Sequence, residues 1–229
     1  MDLKFRDALE MENAAKSGEF PIVPASQFGI YRDFGKRVLD LAIVLATAII
    51  TLPVIMVLAF LVSLDGGSPF FRQRRVGRDN TVFHMWKLRS MVPDAEARLV
   101  AHLAHDPDAK REWDASQKLK RDPRITRIGR FIRKTSMDEL PQLLNVLRGE
   151  MSLVGPRPMM CDQRVLYPGT AYYRLRPGIS GFWQISDRNE AEFKSRAIYD
   201  LKYEQAVSLK TDLSVIARTF AVVMRCTGY

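Results

Sequence analysis

From Leu41 to Leu64 the chain reads LAIVLATAIITLPVIMVLAFLVSL, 24 residues without a charge, and no other segment narrows its possible folds as sharply. Fifteen of these residues are Leu, Ile, Val or Phe. Each favours a bilayer centre by about 0.3–0.6 kcal/mol, and a run of roughly 18 apolar residues is enough to suggest a membrane segment. The run starts some forty residues into the chain, follows a stretch of mixed charge and lacks a small-residue cleavage site, so a removed leader is a poor reading.

Its flanks shape the topology. Arg32, Lys36 and Arg37 precede it and Arg72, Arg74, Arg75 and Arg78 follow it, so the preference of basic flanks for the cytoplasm applies at both ends. One straight span cannot satisfy that preference twice; a helix that enters, breaks and returns can. Pro53 sits near the middle and divides the run into arms of about 12 and 11 residues, too short at 1.5 Å per residue to cross a core of about 30 Å. The sequence therefore predicts a Pro-broken re-entrant helix, with Thr47 or Thr51 helping to satisfy freed carbonyls; a single tilted, kinked span is the alternative.

Composition limits the remainder. There are 35 Lys+Arg against 26 Asp+Glu, a net charge of +9, with 47% hydrophobic residues and two cysteines, Cys161 and Cys226. That excludes a wholly disordered chain, a disulfide-rich scaffold and a four-cysteine zinc cage, and it favours an anionic partner. Residues 1–30 read as a variable tail, 31–66 as the re-entrant region and 67–229 as one domain. Alternation over 81–88 predicts a strand, and 94–120 predict helix. Leucines at 140, 143, 144 and 147 mark a helical stripe. Leu209, Leu213, Ile216, Phe220, Val223 and Met224 mark another, which fits either a core, the commoner case, or a membrane interface. Between Lys118 and Lys134 stand eight basic residues and one acid, suited to a solvated face, phosphate or anionic headgroups.

That run leads into Arg133-Lys134-Thr135-Ser136-Met137-Asp138-Glu139-Leu140-Pro141-Gln142. Ser136 and Glu139 have capping-box spacing, and Asp138 would suit a helix N-terminus. The same carboxylates, flanked by Arg130, Arg133 and Lys134, could instead approach a phosphate, one as nucleophile and one beside a divalent cation. GEMSLVGPRP, ending in a stiff turn at Arg157, and RPGISGFWQ followed by Asp187-Arg188-Asn189 add arginines, an aromatic face and glycines suited to close backbone approach. His102 and His105 lack a third strong ligand, and neither a Walker phosphate loop nor a dinucleotide fingerprint is present.

Taken in order, KRVLDLAIVLATAIITLPVI, FRQRRVGRDNTVFHMWKLRSM, RKTSMDELPQLLNVLRGEMSLVGPRP and RPGISGFWQISDRN resemble the bacterial sugar transferases, the monotopic polyprenyl-phosphate phosphoglycosyl transferases, from about Phe34 onward. With no multi-span domain ahead of it, the chain resembles the short form that begins exopolysaccharide synthesis. The resemblance implies an α/β, predominantly helical monotopic membrane protein with interfacial amphipathic helices, on the cytoplasmic face of the bacterial inner membrane. It implies transfer of galactose or glucose 1-phosphate from a UDP-sugar to undecaprenyl phosphate, with UMP released and Mg²⁺ required. Asp138 would be the nucleophile that carries a covalent phosphosugar, Glu139 would serve metal and phosphates, and both would be metal ligands. Lys87, Arg133, Arg157 and Arg188 match positions the family uses for phosphate or nucleotide-sugar, and Pro53 matches the helix break. The partners implied are the UDP-sugar, undecaprenyl phosphate and anionic lipid, without nucleic acid; self-association stays open.

Two departures bear on this. Leu52 stands where many relatives have serine before the proline, and Asp187 where they often have glycine. The second leaves the sugar open, an N-acetylhexosamine being the alternative. A rival of another class is a membrane-anchored basic binding protein in which Asp138-Glu139 is only a helix cap.

Overall fold

The computed structural model describes residues 29–116, 119–186 and 193–224, so nearly all of the expected 1–30 tail, and Arg188, lie outside the described residues. The apolar run forms a helix. After a π-helical turn at Tyr31–Gly35, α1 spans Lys36–Ser63. It is long and apolar enough to cross a membrane. The sequence predicts two arms parted at Pro53, whereas the assigned helix continues through that residue. Proline's fixed φ near −65° is itself helical, so what it must forgo is one donor, the one that would reach the Ile49 carbonyl. Thr47 donates to Ile43 O at 2.8 Å, within the N-terminal arm and not at Ile49.

Burial divides α1 into three parts. Lys36, Asp40 and Val44 are buried at one end and Leu58, Ala59 and Val62 at the other, while Leu45, Ile49, Ile50, Leu52, Met56 and Val57 between them are exposed. Both buried ends rest on one polar-decorated body. The antiparallel hairpin β1 (Phe70–Val76) and β2 (Val82–Leu88) supplies its first layer. Period-2 alternation turns Phe83 and Met85 inward against Val44, Val146 and Met151, and Leu88 meets Leu58, Ala59, Val62 and Ile132.

The helix predicted over 94–120 divides into α2 (Ala95–His105) and α3 (Pro107–Ser116). Pro107 opens the second helix and the Asp106 carboxylate accepts from the N–H groups of Asp108 and Ala109, a new N-cap in place of a continued turn. Thr126 caps α4 (Arg127–Lys134) by accepting from Gly129 N at 2.8 Å, and Ile128 and Ile132 face α1. The leucine stripe yields only the short α5 (Gln142–Arg148), with Leu144 and Leu147 exposed.

Two three-residue strands, β3 (Ser152–Val154) and β4 (Gly178–Ser180), pair in parallel across a crossover that includes α6 (Ala171–Arg174). Then come α7 (Arg196–Ala206) and α8 (Leu209–Met224). On α8 the stripe divides: Ile216 packs with Val215 against the core, while Leu209, Leu213 and Phe220 are exposed and Asp212 is buried. Among the described residues the architecture is mostly helical with two small sheets.

Polar contacts hold the ends of α1. Lys36 Nζ binds Asp212 at 2.7 Å and the Tyr203 hydroxyl at 2.8 Å, and Tyr203 donates to Asp212 at 2.7 Å. Asp40 accepts from Leu153 N at 3.0 Å, and Arg37 donates to the last carbonyls of α5. At the far end Arg89 donates to Val62 O and pairs with Asp65.

The loops after β3 and before β4 touch backbone to backbone. A Cβ on Gly155 would lie 2.2 Å from Arg176 O, and one on Gly178 2.1 Å from Gly155 N. The glycines that the sequence offers for close approach thus accommodate each other's strands. Gly155→Ala is expected to cost at least about 1–3 kcal/mol, read as a lower denaturation midpoint of the detergent-solubilised protein.

Candidate active site

Lys87 stands on β2 two residues beyond Met85 and so shares the inward phase of Phe83 and Met85. At the strand's end this phase meets a 3-10 turn, Met137–Glu139, entered through Ser136 in the left-handed region at φ 56°. Such a conformation costs a non-glycine residue about 1–2 kcal/mol. It turns the chain so that Met137 enters the core beneath α1 while the next two carboxylates face Lys87. The capping box is not formed. Ser136 makes no side-chain cap bond, α5 begins only at Gln142, and Glu139 reaches Lys87 instead.

Lys87 Nζ lies 2.8 Å from Glu139 Oε1 and 3.4 Å from Asp138 Oδ2. Asp138 is 8% exposed. Burial is the main influence on its carboxyl and holds it above the usual aspartate range; Glu139 pushes the same way, and Lys87 and Arg133 oppose both. A carboxylate so placed is less solvated than a surface aspartate and more basic, both of which favour attack on phosphorus.

Lys87, Glu139, Gln142, Arg75, Arg157 and Gln184 line a crevice of about 40 Å³. That volume suits a phosphate group or a hydrated ion, far below the roughly 300 Å³ at which ordinary ligand pockets begin, so a larger substrate meets these groups at the mouth. A groove of about 510 Å³ opens between the turn at 182–186, α7 and α8, with Lys202, Lys210 and Arg218 in its wall; none of the described residues predicted for the site lines it.

The structure therefore brings Lys87, Asp138, Glu139 and Arg157 together, with Arg133 close enough to act on Asp138 through its charge. Arg188 lies outside the described residues, and Pro53 is in the exposed middle of α1. Sequence reasoning missed Arg75, Gln142 and Asn145 as site residues. Asn145 is fully buried, accepts from Trp86 N at 3.1 Å and donates to His84 O at 2.8 Å, so its amide fixes the β2 backbone one residue from Lys87. A lone polar residue in the LLNVL stripe was the available signal.

The family model described as "Bacterial sugar transferase" matches residues 31–226. The chain belongs to the bacterial sugar transferase family. It is 47% identical over 197 residues to the "UDP-galactose-lipid carrier transferase" of Erwinia amylovora, a match covering 85% of this chain and 41% of that protein. Against the "Undecaprenyl-phosphate galactose phosphotransferase" of Salmonella typhimurium the identity is 44%, with the same 85% and 41% covered. The chain thus spans about two fifths of these two relatives. It matches 99% of the "Exopolysaccharide production protein ExoY" of Rhizobium meliloti at 39% identity, using 95% of its own length.

In this member of the family the raised Asp138 carboxyl has a consequence for stability. The folded state binds that proton more tightly than the unfolded one, so the contribution is present below the unfolded pKa of about 3.9 and is lost as pH rises through the folded value. Asp138→Asn, which cannot ionise, is expected to melt no lower than wild type at pH 7. Its advantage should shrink towards pH 4, and thermal scans of both proteins across that range check it.

Proposed function

We propose that this protein transfers a hexose 1-phosphate, galactose or glucose, from a UDP-sugar to undecaprenyl phosphate with release of UMP, the first membrane step of exopolysaccharide synthesis. The observation that carries this reading is the buried Asp138 beside Glu139, bridged by Lys87 in a crevice walled by Arg75 and Arg157. The names of the relatives from Erwinia, Salmonella and Rhizobium support it in acceptor, sugar and process.

On this reading each residue has a task. An Asp138 oxygen attacks the sugar-bearing phosphorus; the new P–O bond forms as the bond to the bridging oxygen breaks, and the electron pair leaves on UMP. The phosphate of undecaprenyl phosphate then attacks the same phosphorus and displaces the carboxylate, which regenerates Asp138. Neither displacement requires a proton. Lys87, Arg133 and Arg157 offset phosphate charge, which is most of what phosphoryl transfer asks of a protein. Arg188 is assigned to the nucleotide-sugar.

Two adjacent carboxylates without a third His, Cys, Asp or Glu in a metal-capable group among the described residues fit Mg²⁺, which commonly takes one or two carboxylates and completes its shell with substrate phosphates and water. Asp138 and Glu139 would hold it. When bound it would neutralise phosphate charge. Chelation by EDTA is expected to abolish turnover and added Mg²⁺ to restore it.

The α1 helix is read as re-entrant, placing the catalytic body on the cytoplasmic face of the inner membrane among anionic lipids. The support is that both its ends bond to that body while its apolar middle is exposed. Exposed Leu209, Leu213 and Phe220 suit the lipid interface. Single cysteines at Asp33 and Gly66 should label from the cytoplasmic side only; labelling from opposite sides would overturn the topology.

The decisive assay is UMP release from a panel of UDP-sugars, with undecaprenyl phosphate and Mg²⁺, by the purified protein in detergent. Release is expected with UDP-galactose or UDP-glucose and to fall about 10⁴-fold or more in Asp138→Asn. Release from a UDP-N-acetylhexosamine alone would change the sugar. No release from folded protein would leave an anchored binding protein.

A further inference from the structure

Arg75 and Arg157 line the crevice, and a third guanidinium, Arg196, shares the Trp183 ring with Arg157. Arg75 comes from β1, Arg157 from the turn after β3, and Arg196 from the first position of α7. Arg157 lies 5.3 Å from the centre of the Trp183 ring; Arg196 lies 4.4 Å from that ring and 4.7 Å from Phe193. Among the described residues none of the three arginines forms an ion pair.

Their polar atoms are left over as well. Arg75 donates to Pro158 O at 3.1 Å and to Gln73 Oε1 at 2.6 Å, yet its Nε is buried without a partner. So are Arg196 Nε and the indole Nε1 of Trp183. These three atoms are all N–H donors. Burial first, then the neighbouring Arg157 and Arg75, pushes the Arg196 guanidinium down to about 10 against the pull of Asp200.

The nearby carboxylates do not cancel this charge. Glu139 is held by Lys87 at 2.8 Å, and Asp200 accepts from Tyr167 at 2.8 Å and is pushed up to about 7 by burial. Asp162 acts on Arg75 only through its charge, the last of that group's influences. Positive groups brought together, partly desolvated and short of acceptors call for an anion with several acceptor oxygens.

We propose that Arg75, Arg157, Arg196 and Trp183 form the seat of the nucleoside-side phosphate of the donor and hold the departing nucleoside monophosphate. The proposal rests on the transferase reading and adds Arg75, Arg196 and Trp183 to the binding machinery. In this arrangement the crevice has two poles. Asp138, Glu139 and Lys87 meet the phosphorus under attack, and the arginine wall meets the oxygen on which the electron pair is released. The same chemistry could serve the phosphate of undecaprenyl phosphate; the second displacement leaves the nucleotide's counter-charges free, so the two sources are separable by binding.

The test uses the full chain carrying Asp138→Asn in detergent, which binds without turnover, with calorimetric titration of UMP and, separately, of undecaprenyl phosphate. Arg75→Gln and Arg196→Gln, each added to that background, are expected to weaken UMP about 10- to 100-fold and to leave undecaprenyl phosphate within about twofold. Arg196→Lys keeps the charge without the planar fork and is the second variant if the glutamine form fails to fold; about a tenfold weakening is expected. Loss of undecaprenyl phosphate binding with UMP unchanged would overturn the assignment to the nucleotide. Unchanged binding of both, with wild-type turnover intact, would overturn the inference and leave the transferase reading standing. Arginine-dependent UMP binding in a wild type that transfers no sugar would support the anion seat and overturn the reading.

Discussion

The whole arrangement depends on how an apolar helix is tied to a polar body at two points. At its first turn the tie is Lys36 with Asp212, both buried and both engaged by the Tyr203 hydroxyl. Charges taken out of water are tolerated only when each is paired and hydrogen-bonded, and this set meets that condition: Tyr31 also donates to Asp212 at 2.7 Å. Removing one member would strand the others, so the cluster does more to specify where the helix leaves the body than to add stability. At the other end Arg89 closes the last turn of the helix through Val62 O.

From those ties the catalytic geometry follows by short steps. Asp40, one turn beyond Lys36, fixes Leu153 on β3, and β3 leads through Gly155-Pro156 to Arg157. Val44 packs beneath Phe83 and Met85, the inward residues that set the phase of Lys87. Leu58 and Val62 share a cluster with Met137, and the next residue, Asp138, meets Lys87. The helix is thus a ruler laid under both halves of the site, and the carboxylates and the arginine wall keep their spacing because both are referred to it.

Much of this was legible in the sequence where a local pattern carried it. The apolar run, the alternation of β2 and the Asp138-Glu139 pair next to basic residues all mark themselves. The hairpin's first strand, FFRQRRV, did not, since its arginines mask the alternation and its exposure pattern is irregular. Flanking charges were read as membrane signals, yet Arg32, Lys36 and Arg37 bond to Glu204, Asp212 and the end of α5, partners more than a hundred residues away. Arg196 had no mark at all, because only the packing of α7 carries it over Trp183. Periodicity reports what a segment buries; it does not report which distant segment receives it.

The separation between Lys36 and Asp212 also sets a timetable. They stand 176 positions apart, while Asp65 and Arg89 stand 24 apart. At about 5–20 residues per second, a ribosome would take roughly 10–35 s to deliver the carboxylate after the lysine. For that interval the greasy helix has its downstream end fastened and its upstream end loose. The exposed middle of the helix, from Leu45 to Val57, thus waits for its second tie until nearly the whole chain has been made.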